Sequence, residues 1–325
     1  MLCVPLSVVE RISKVRSSGT SGEQKRLYFS KRDLSRTVDF FAAGMAEVLR
    51  GADRCAIFMS GPTENSIGRL LQQGLADIGV QAVIHGNLGD VEQARLVAQG
   101  AGCYVGLPGE MLYLCRTCPQ LRPASLLLSA DYVPASLVEA IERTWRCPVF
   151  LHYGMTETCY GLAVQCAARE VMHLRSGEFL IEVADPLTGA PLPPGQEGEI
   201  LLTTLESEAL PLIRYRTGDI GRLAASACGC GSTLPALARV SGRLENLRAP
   251  INIHRLDELL FAHPTLRNYA ARLEGDCLQL TVDLIDGGAA PDARVLSDTL
   301  GVAVSVECAP LPPGRTPGKR RMGYA

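Results

Sequence analysis

The residues best able to do chemistry fall in four short stretches spread along the chain. "SSGTSGEQK" (17–25) sets two glycines three apart among four hydroxyls and ends on Lys25. Such a loop offers backbone N–H groups, hydroxyls and a cation to a phosphate. It is not a G-x-x-x-x-G-K-[ST] loop, because its glycines are three apart and a β-like run follows instead of a helix. "YGMTE" (153–157) places an aromatic, a hydroxyl and a carboxylate after a strand end. "YRTGD" (215–219) closes on a carboxylate that only accepts and could take both hydroxyls of a ribose. "RVSGR" (239–243) adds an arginine where the chain enters its last segment. Lysine occurs only at Lys14, Lys25, Lys31 and Lys319, so each is singled out by rarity.

These stretches need elements to hold them. Residues 27–29 read as a short strand, and the helix-spaced run after Ser30 takes that serine as its N-cap. A buried strand at 55–60, a helix at 63–79 ending on Gly79 and a strand at 80–86 follow. The alternation continues through a helix at 90–100, "CYVGLP", "SLLLSA" (125–130), a helix at 134–146 and "PVFLHYG" (148–154). Alternating βα units predict an α/β fold with a doubly wound, mostly parallel sheet. Ligands bind at the carboxyl ends of such strands, and "LHYGMTE" sits at one. From Ser176 strands split by Pro/Gly clusters predict a β-rich subdomain. After Arg243 a helix at 255–263 and strands near 269–273 and 278–284 predict a small α+β unit, and the tail from Ala309 reads as loop.

Composition bounds the function. With 325 residues, 47% hydrophobic and 20% charged, the chain reads as an ordinary globular protein with a substantial core. A net charge of −2 gives no footprint for nucleic acid or an anionic membrane. No window approaches ~20 apolar residues, so no membrane span is expected, and "MLCVPLSVVERISK" lacks the apolar core of a signal peptide. Twelve cysteines without an export signal point to reduced thiols or metal ligation in a cytoplasmic protein.

Any one of the four stretches, taken alone, reads as a surface turn, a helix start or a core aromatic. Their order does not. Together they resemble the adenylate-forming superfamily of acyl-CoA ligases, and "DPLTGAPLPPGQEGEILLTTLESEALPLIRYRTGD" is similar to its phenylacetate–CoA ligase branch. The resemblance runs from about Val4 to the end. It implies ATP-dependent adenylation of a carboxylic acid, giving acyl-AMP and pyrophosphate, then transfer to coenzyme A. It also implies a large AMP-binding domain over 1–242 and a small mobile C-terminal domain over 243–325. Ser18, Gly19, Thr20, Ser21, Gly22 and Lys25 would form the phosphate loop. Tyr153, with Gly154, would pack on adenine, Thr156 would contact the α-phosphate and Glu157 would help hold Mg²⁺. Asp219 and Arg243 would bind ribose, and Lys319 in "GRTPGKRR" would bridge carboxylate and α-phosphate. Other outcomes are transfer to a protein or carrier group, or a nucleotide-binding regulator with impaired catalysis. The family also admits a homodimer.

"CGC" at Cys228–Cys230 has the look of a tight metal knuckle, with Cys166 and His173 as upstream candidates. The resemblance implies a structural Zn²⁺ on Cys166, His173, Cys228 and Cys230, an ordinary closed Cys₃His set. Cys115-x-x-Cys118 is a rival pair for the first two ligands.

The chain departs from the family pattern at several points. Relatives place a large N-terminal segment before the phosphate loop, whereas "VPLSVVERISKVRSSGT" matches only the strand leading into it. This implies either a gene start further upstream or a shortened enzyme. "LENLR" stands at the hinge, with Glu245 as its expected pivot, and "APIN" (249–252) stands where relatives have glycine along the thiol tunnel. "SADYV" (129–133) replaces a glycine–glutamate turn near adenine. "MSGPTENSIGR" (59–69) is polar where aryl-acid ligases are aromatic, so a small or polar acid is expected.

Overall fold

A computed structural model describes residues 2–16, 24–247, 249, 251–311 and 322–324. Strands β1 (Val9–Arg16) and β2 (Gln24–Ser30) pair antiparallel, and helix α1 (Lys31–Val48) starts directly after them. A capping box fixes that start. Ser30 Oγ accepts from Asp33 N at 3.2 Å, and Asp33 Oδ2 accepts from Ser30 N at 2.9 Å. Next come β3 (Arg54–Phe58), α2 (Ile67–Asp77), β4 (Gln81–Ile84), α3 (Val91–Gln99), β5 (Cys103–Gly106) and α4 (Pro108–Thr117). Then follow β6 (Ser125–Leu128), α5 (Ala135–Trp145) and β7 (Val149–Tyr153).

Beyond β7 the chain turns strand-rich, with β8 (Ala163–Gln165), β9 (Met172–Leu174), β10 (Phe179–Ala184), β11 (Gly198–Thr204), β12 (Tyr215–Leu223) and β13 (Ala236–Arg243). The last elements are α6 (Leu244–Leu247), α7 (Ile253–Phe261), β14 (Leu266–Glu274), β15 (Cys277–Leu284), α8 (Ala293–Leu300), β16 (Ala303–Cys308) and β17 (Gly323–Tyr324). The tail expected to be loop thus contributes a short strand, which pairs parallel with β14 through Arg272 and Leu273. Helix α2 starts four residues later than predicted. Asn65 is in the left-handed region (φ 60), which a continuing helix cannot use, and Ser66 takes the N-cap position.

Two compact units result: Met1–Asp53 with Gly61–Ala82 and Phe150–Leu244, and Arg54–Ser60 with Val83–Val149 and Glu245–Ala325. In the first, the strands run β10-β11-β12-β13-β9-β8-β7, antiparallel at every pairing. Their buried face gathers Leu162, Met172, Phe179, Ile200, Leu202 and Leu237. In the second, β3, β5 and β6 pair in parallel, and β5 and β6 are buried at every residue. Parallel strands covered on both faces read as continuous apolar runs, as "CYVG" and "SLLL" do. Phe58, Tyr104 and Trp145 stack edge-on through this core, with ring centroids 6.1 and 5.4 Å apart.

The residues from Glu245 onward group with the α4–α5 region of the second unit. Glu258, on α7, accepts from Ala135 N at 3.1 Å, Ser136 N at 3.2 Å and Tyr132 Oη at 2.8 Å. Its carboxylate therefore finishes the N-terminus of α5, where a negative charge is favoured. Arg116 also donates to the Phe261 carbonyl at 2.8 Å. No helix among the described residues is long and apolar enough to cross a membrane.

Candidate functional site

Strand β7 delivers Tyr153 to a sharp turn. A Cβ on Gly154 would lie 1.9 Å from the Tyr160 carbonyl oxygen, so only glycine fits there. Cys159 (φ 49) and Tyr160 (φ 74) turn the chain back, and Leu162 N donates to the Tyr153 carbonyl to close the loop. Thr158 Oγ1 both accepts from Met155 N and donates to its carbonyl, which fixes a 3₁₀ turn over Thr156–Thr158. That turn holds Thr156 and Glu157 half-buried beside the end of β7.

Strand β12 faces it with Tyr215 and Asp219. Tyr215 Oη donates to Glu157 Oε1 at 2.8 Å, and Tyr153 Oη donates to Asp219 Oδ2 at 2.8 Å. Asp219 and Arg243 are register partners on β12 and β13, and Arg243 Nε approaches Asp219 Oδ1 at 2.8 Å. Arg243 Nη1 donates to the Thr217 carbonyl at 3.0 Å, so the guanidinium is held on both sides. Gly218 adopts φ +73, and a Cβ there would sit 3.3 Å from Arg243 Nη1. Burial foremost, then the Asp219 charge, pushes the Tyr153 phenol well above its usual range, so it stays a neutral donor. Lys25, on β2, carries its Nζ 5.3 Å from the Tyr215 ring centroid.

The first unit therefore brings Lys25, Tyr153, Gly154, Thr156, Glu157, Asp219 and Arg243 together around two tyrosines. Ser18, Gly19, Thr20, Ser21, Gly22 and Lys319 lie outside the described residues. The "YRTGD" motif predicts a role for Asp219 alone. The tyrosine four positions earlier on the same strand is the signal that could have found Tyr215.

A second cluster lies in the same unit. The ligand atoms of Cys166, His173, Cys228 and Cys230 are all within 4.8 Å of one another. Cys166 Sγ is 3.6 Å from Cys228 Sγ, and Cys230 Sγ is 3.3 Å from His173 Nε2. Tetrahedral zinc at ~2.3 Å from sulfur asks for ~3.8 Å between sulfurs, so the set fits this metal with little adjustment. Backbone contacts order the knuckle. Ser232 N donates to Cys230 Sγ at 3.4 Å, Gly229 N donates to Glu170 Oε2 at 2.9 Å, and Gly231 turns with φ +79. Cys115 and Cys118, in the second unit, do not join the group. Burial pushes the Cys115 thiol up to about 12 and also raises Cys118.

Residues 17–205 match the family model described as AMP-binding enzyme. The phenylacetate-coenzyme A ligase of Thermus thermophilus is 32% identical over 199 residues, covering 51% of this chain and 44% of that protein. The phenylacetate-coenzyme A ligase of Escherichia coli (strain K12) is 38% identical over 97 residues, 29% of this chain and 22% of that protein. The matched stretch thus spans less than half the length of either relative. Among solved structures, 2-hydroxyisobutyryl-CoA ligase in the postadenylation state with R3-HIB-AMP superposes with a TM-score of 0.75 at 20% identity, covering 99% of this chain and 73% of that one. ATP-bound MatB from Rhodopseudomonas palustris gives 0.62 at 16% identity, covering 97% and 66%. At these identities the likeness is one of fold.

Proposed function

The chain belongs to the AMP-binding enzyme family, and from that premise we propose that it adenylates a carboxylic acid with ATP, releases pyrophosphate and passes the acyl group to coenzyme A. One observation carries the reading: Tyr153, Asp219 and Arg243, distant in sequence, are joined by a hydrogen bond and an ion pair, and Tyr215 of the same strand as Asp219 holds Glu157.

The chemistry suits these groups. A carboxylic acid is ionised at pH 7, so its attack on the α-phosphorus requires no general base. It requires in-line positioning and compensation of phosphate charge. In this reading the Tyr153 ring packs on adenine and Thr156 contacts the α-phosphate. Asp219, oriented by Tyr153 and Arg243, takes the ribose hydroxyls. The loop ending at Lys25 receives the outer phosphates, and Lys319 bridges carboxylate and α-phosphate. Glu157 is the group that would hold Mg²⁺. Its Oε2 has no hydrogen-bond partner among the described residues, and Mg²⁺ commonly takes one carboxylate with waters and phosphates. When bound, that ion neutralises triphosphate charge.

The functional division at 242/243 follows the same reading, with residues 243–325 bringing Lys319 to the site. Cys166, His173, Cys228 and Cys230 hold a structural Zn²⁺. The polar 59–69 stretch favours a small or polar acid over an aryl acid.

ATP–pyrophosphate exchange over a panel of carboxylic acids, with and without coenzyme A, tests the proposal. Acid-dependent exchange with coenzyme A consumption supports it. Exchange without such consumption redirects the second half to a carrier or protein acceptor. ATP binding with no exchange for any acid overturns adenylation.

A further inference from the structure

Tyr215 touches two opposite charges from two separate segments. It is the first residue of β12, paired in register with Leu202, and its half-buried ring packs against the apolar face of the first unit. Its hydroxyl donates to Glu157 Oε1 at 2.8 Å, in the turn after β7. Its ring lies under Lys25 Nζ at 5.3 Å, on the strand that follows the 17–23 segment. Lys25 and Glu157 form no ion pair with each other among the described residues, though both contact this one side chain.

From this we infer that Tyr215 is a positioning residue that holds Lys25 and Glu157 apart, so that neither neutralises the other before a nucleotide's metal-bearing triphosphate arrives. The inference rests on the proposed role of Glu157 as the carboxylate facing that cation. Two consequences of the geometry support it. The phenol engages one carboxylate oxygen and leaves Oε2 without a protein partner among the described residues, the state that suits monodentate binding of a hard cation. The ring face attracts the ammonium through its quadrupole without consuming its charge, whereas a carboxylate would consume it.

Without the hydroxyl, Glu157 is released, and Lys25, which contacts the same ring, becomes a cation it can pair with. The resulting pair would withdraw both groups from the nucleotide. Tyr215→Phe isolates this effect, because phenylalanine keeps the ring under Lys25 and deletes only the donor. Tyr215→Leu removes both contacts.

The test measures binding of Mn²⁺, as a spectroscopic stand-in for Mg²⁺, to the full chain in the presence of ATP by electron paramagnetic resonance. ATP binding without metal and the melting temperature are followed in parallel. Tyr215→Phe is expected to weaken Mn²⁺ binding roughly tenfold, about the worth of one hydrogen bond to a charged group, and to weaken metal-free ATP binding as Lys25 pairs with Glu157, with the melting temperature near wild type. Tyr215→Leu should additionally weaken metal-free ATP binding several-fold. Adding Tyr215→Phe to Glu157→Gln should cost little more than Glu157→Gln alone.

Wild-type Mn²⁺ affinity in Tyr215→Phe, or fully additive losses in the double variant, overturns the inference. If Glu157→Gln itself leaves Mn²⁺ binding unchanged, the role of Glu157 fails first and the inference falls with it; that outcome is distinct from a failure confined to Tyr215. Should Tyr215→Phe not fold, Lys25→Met tests the other arm. It must weaken metal-free ATP binding several-fold while keeping the melting temperature, and unchanged ATP binding overturns the inference.

Discussion

Asp219 and Arg243 stand opposite each other on neighbouring antiparallel strands, and their charged atoms meet at 2.8 Å. Asp219 is almost fully buried, while the Arg243 side chain keeps 20% exposure. Removing the arginine leaves a buried carboxylate that still accepts from the Tyr153 phenol but has lost its charged partner. We expect Arg243→Met to cost on the order of 2 kcal/mol of stability, less than for a fully buried pair because water reaches the guanidinium. Asp219→Asn should be milder in stability and severe in ATP affinity. Urea unfolding and calorimetric ATP titration check both, and undiminished ATP affinity in Asp219→Asn removes its ribose role.

The two site glycines should fail for different reasons. Gly154→Ala places a methyl 1.9 Å from a backbone oxygen, so the turn carrying Thr156 and Glu157 must open. A shift near 1 Å can cost roughly a hundredfold in rate, and exchange should fall by about that much. Gly218→Ala meets a positive φ and the Arg243 guanidinium, with an expected stability loss of about 1–2 kcal/mol. Normal exchange in Gly154→Ala would show that the turn tolerates opening.

Metal analysis of purified protein should return close to one zinc per chain. His173 is the register partner of Ala236, so the cluster ties β9 to the start of β13, whose far end is Arg243. Chelation, or Cys228→Ser, should therefore lower the melting temperature and weaken ATP binding together. Less than a tenth of an equivalent of zinc would exclude the site.

Acid should destabilise the protein through His152. It is buried beside Phe40 and Phe41, and burial lowers its pKa to about 4. Unfolded histidine titrates near 6.5. Between those values the unfolded chain binds a proton that the folded chain refuses, so stability is full above pH ~6.5 and falls as pH drops toward 4. The His152 contribution is at most about 3 kcal/mol. His152→Phe should flatten that limb of a stability–pH profile, and an unchanged slope would assign the acid loss to other groups.

Much of the fold was legible because burial writes itself into composition. The runs at 103–106 and 125–128 are apolar because both faces are covered, and Ser30 announced α1 through its capping chemistry. Helix α4 escaped because Met111, Leu112, Leu114 and Cys115 are buried nearly all round, which erases the amphipathic period a sequence reading relies on. Helix α8 escaped despite good signals, namely Asp292 as N-cap and Gly301 in the left-handed region after its end. In the site, residues with unusual chemistry were visible by type, whereas Tyr215 acts through its neighbours, which only the register of β12 reveals. The Cys228–Cys230 knuckle was legible from cysteine spacing, while its grouping with Cys166 and His173 was implied by the family resemblance. The choice between Cys166 with His173 and the Cys115–Cys118 pair depended on which strands meet.

Glu258 carries one last consequence. It caps two amides of α5 and binds the Tyr132 hydroxyl at once, so lifting α7 from α5 would expose three donors to water in a single step. Hydrogen bonds that break as a group favour discrete positions over gradual sliding. Any swing of the C-terminal segment would then behave as a latch, seated or released, with no stable halfway stop.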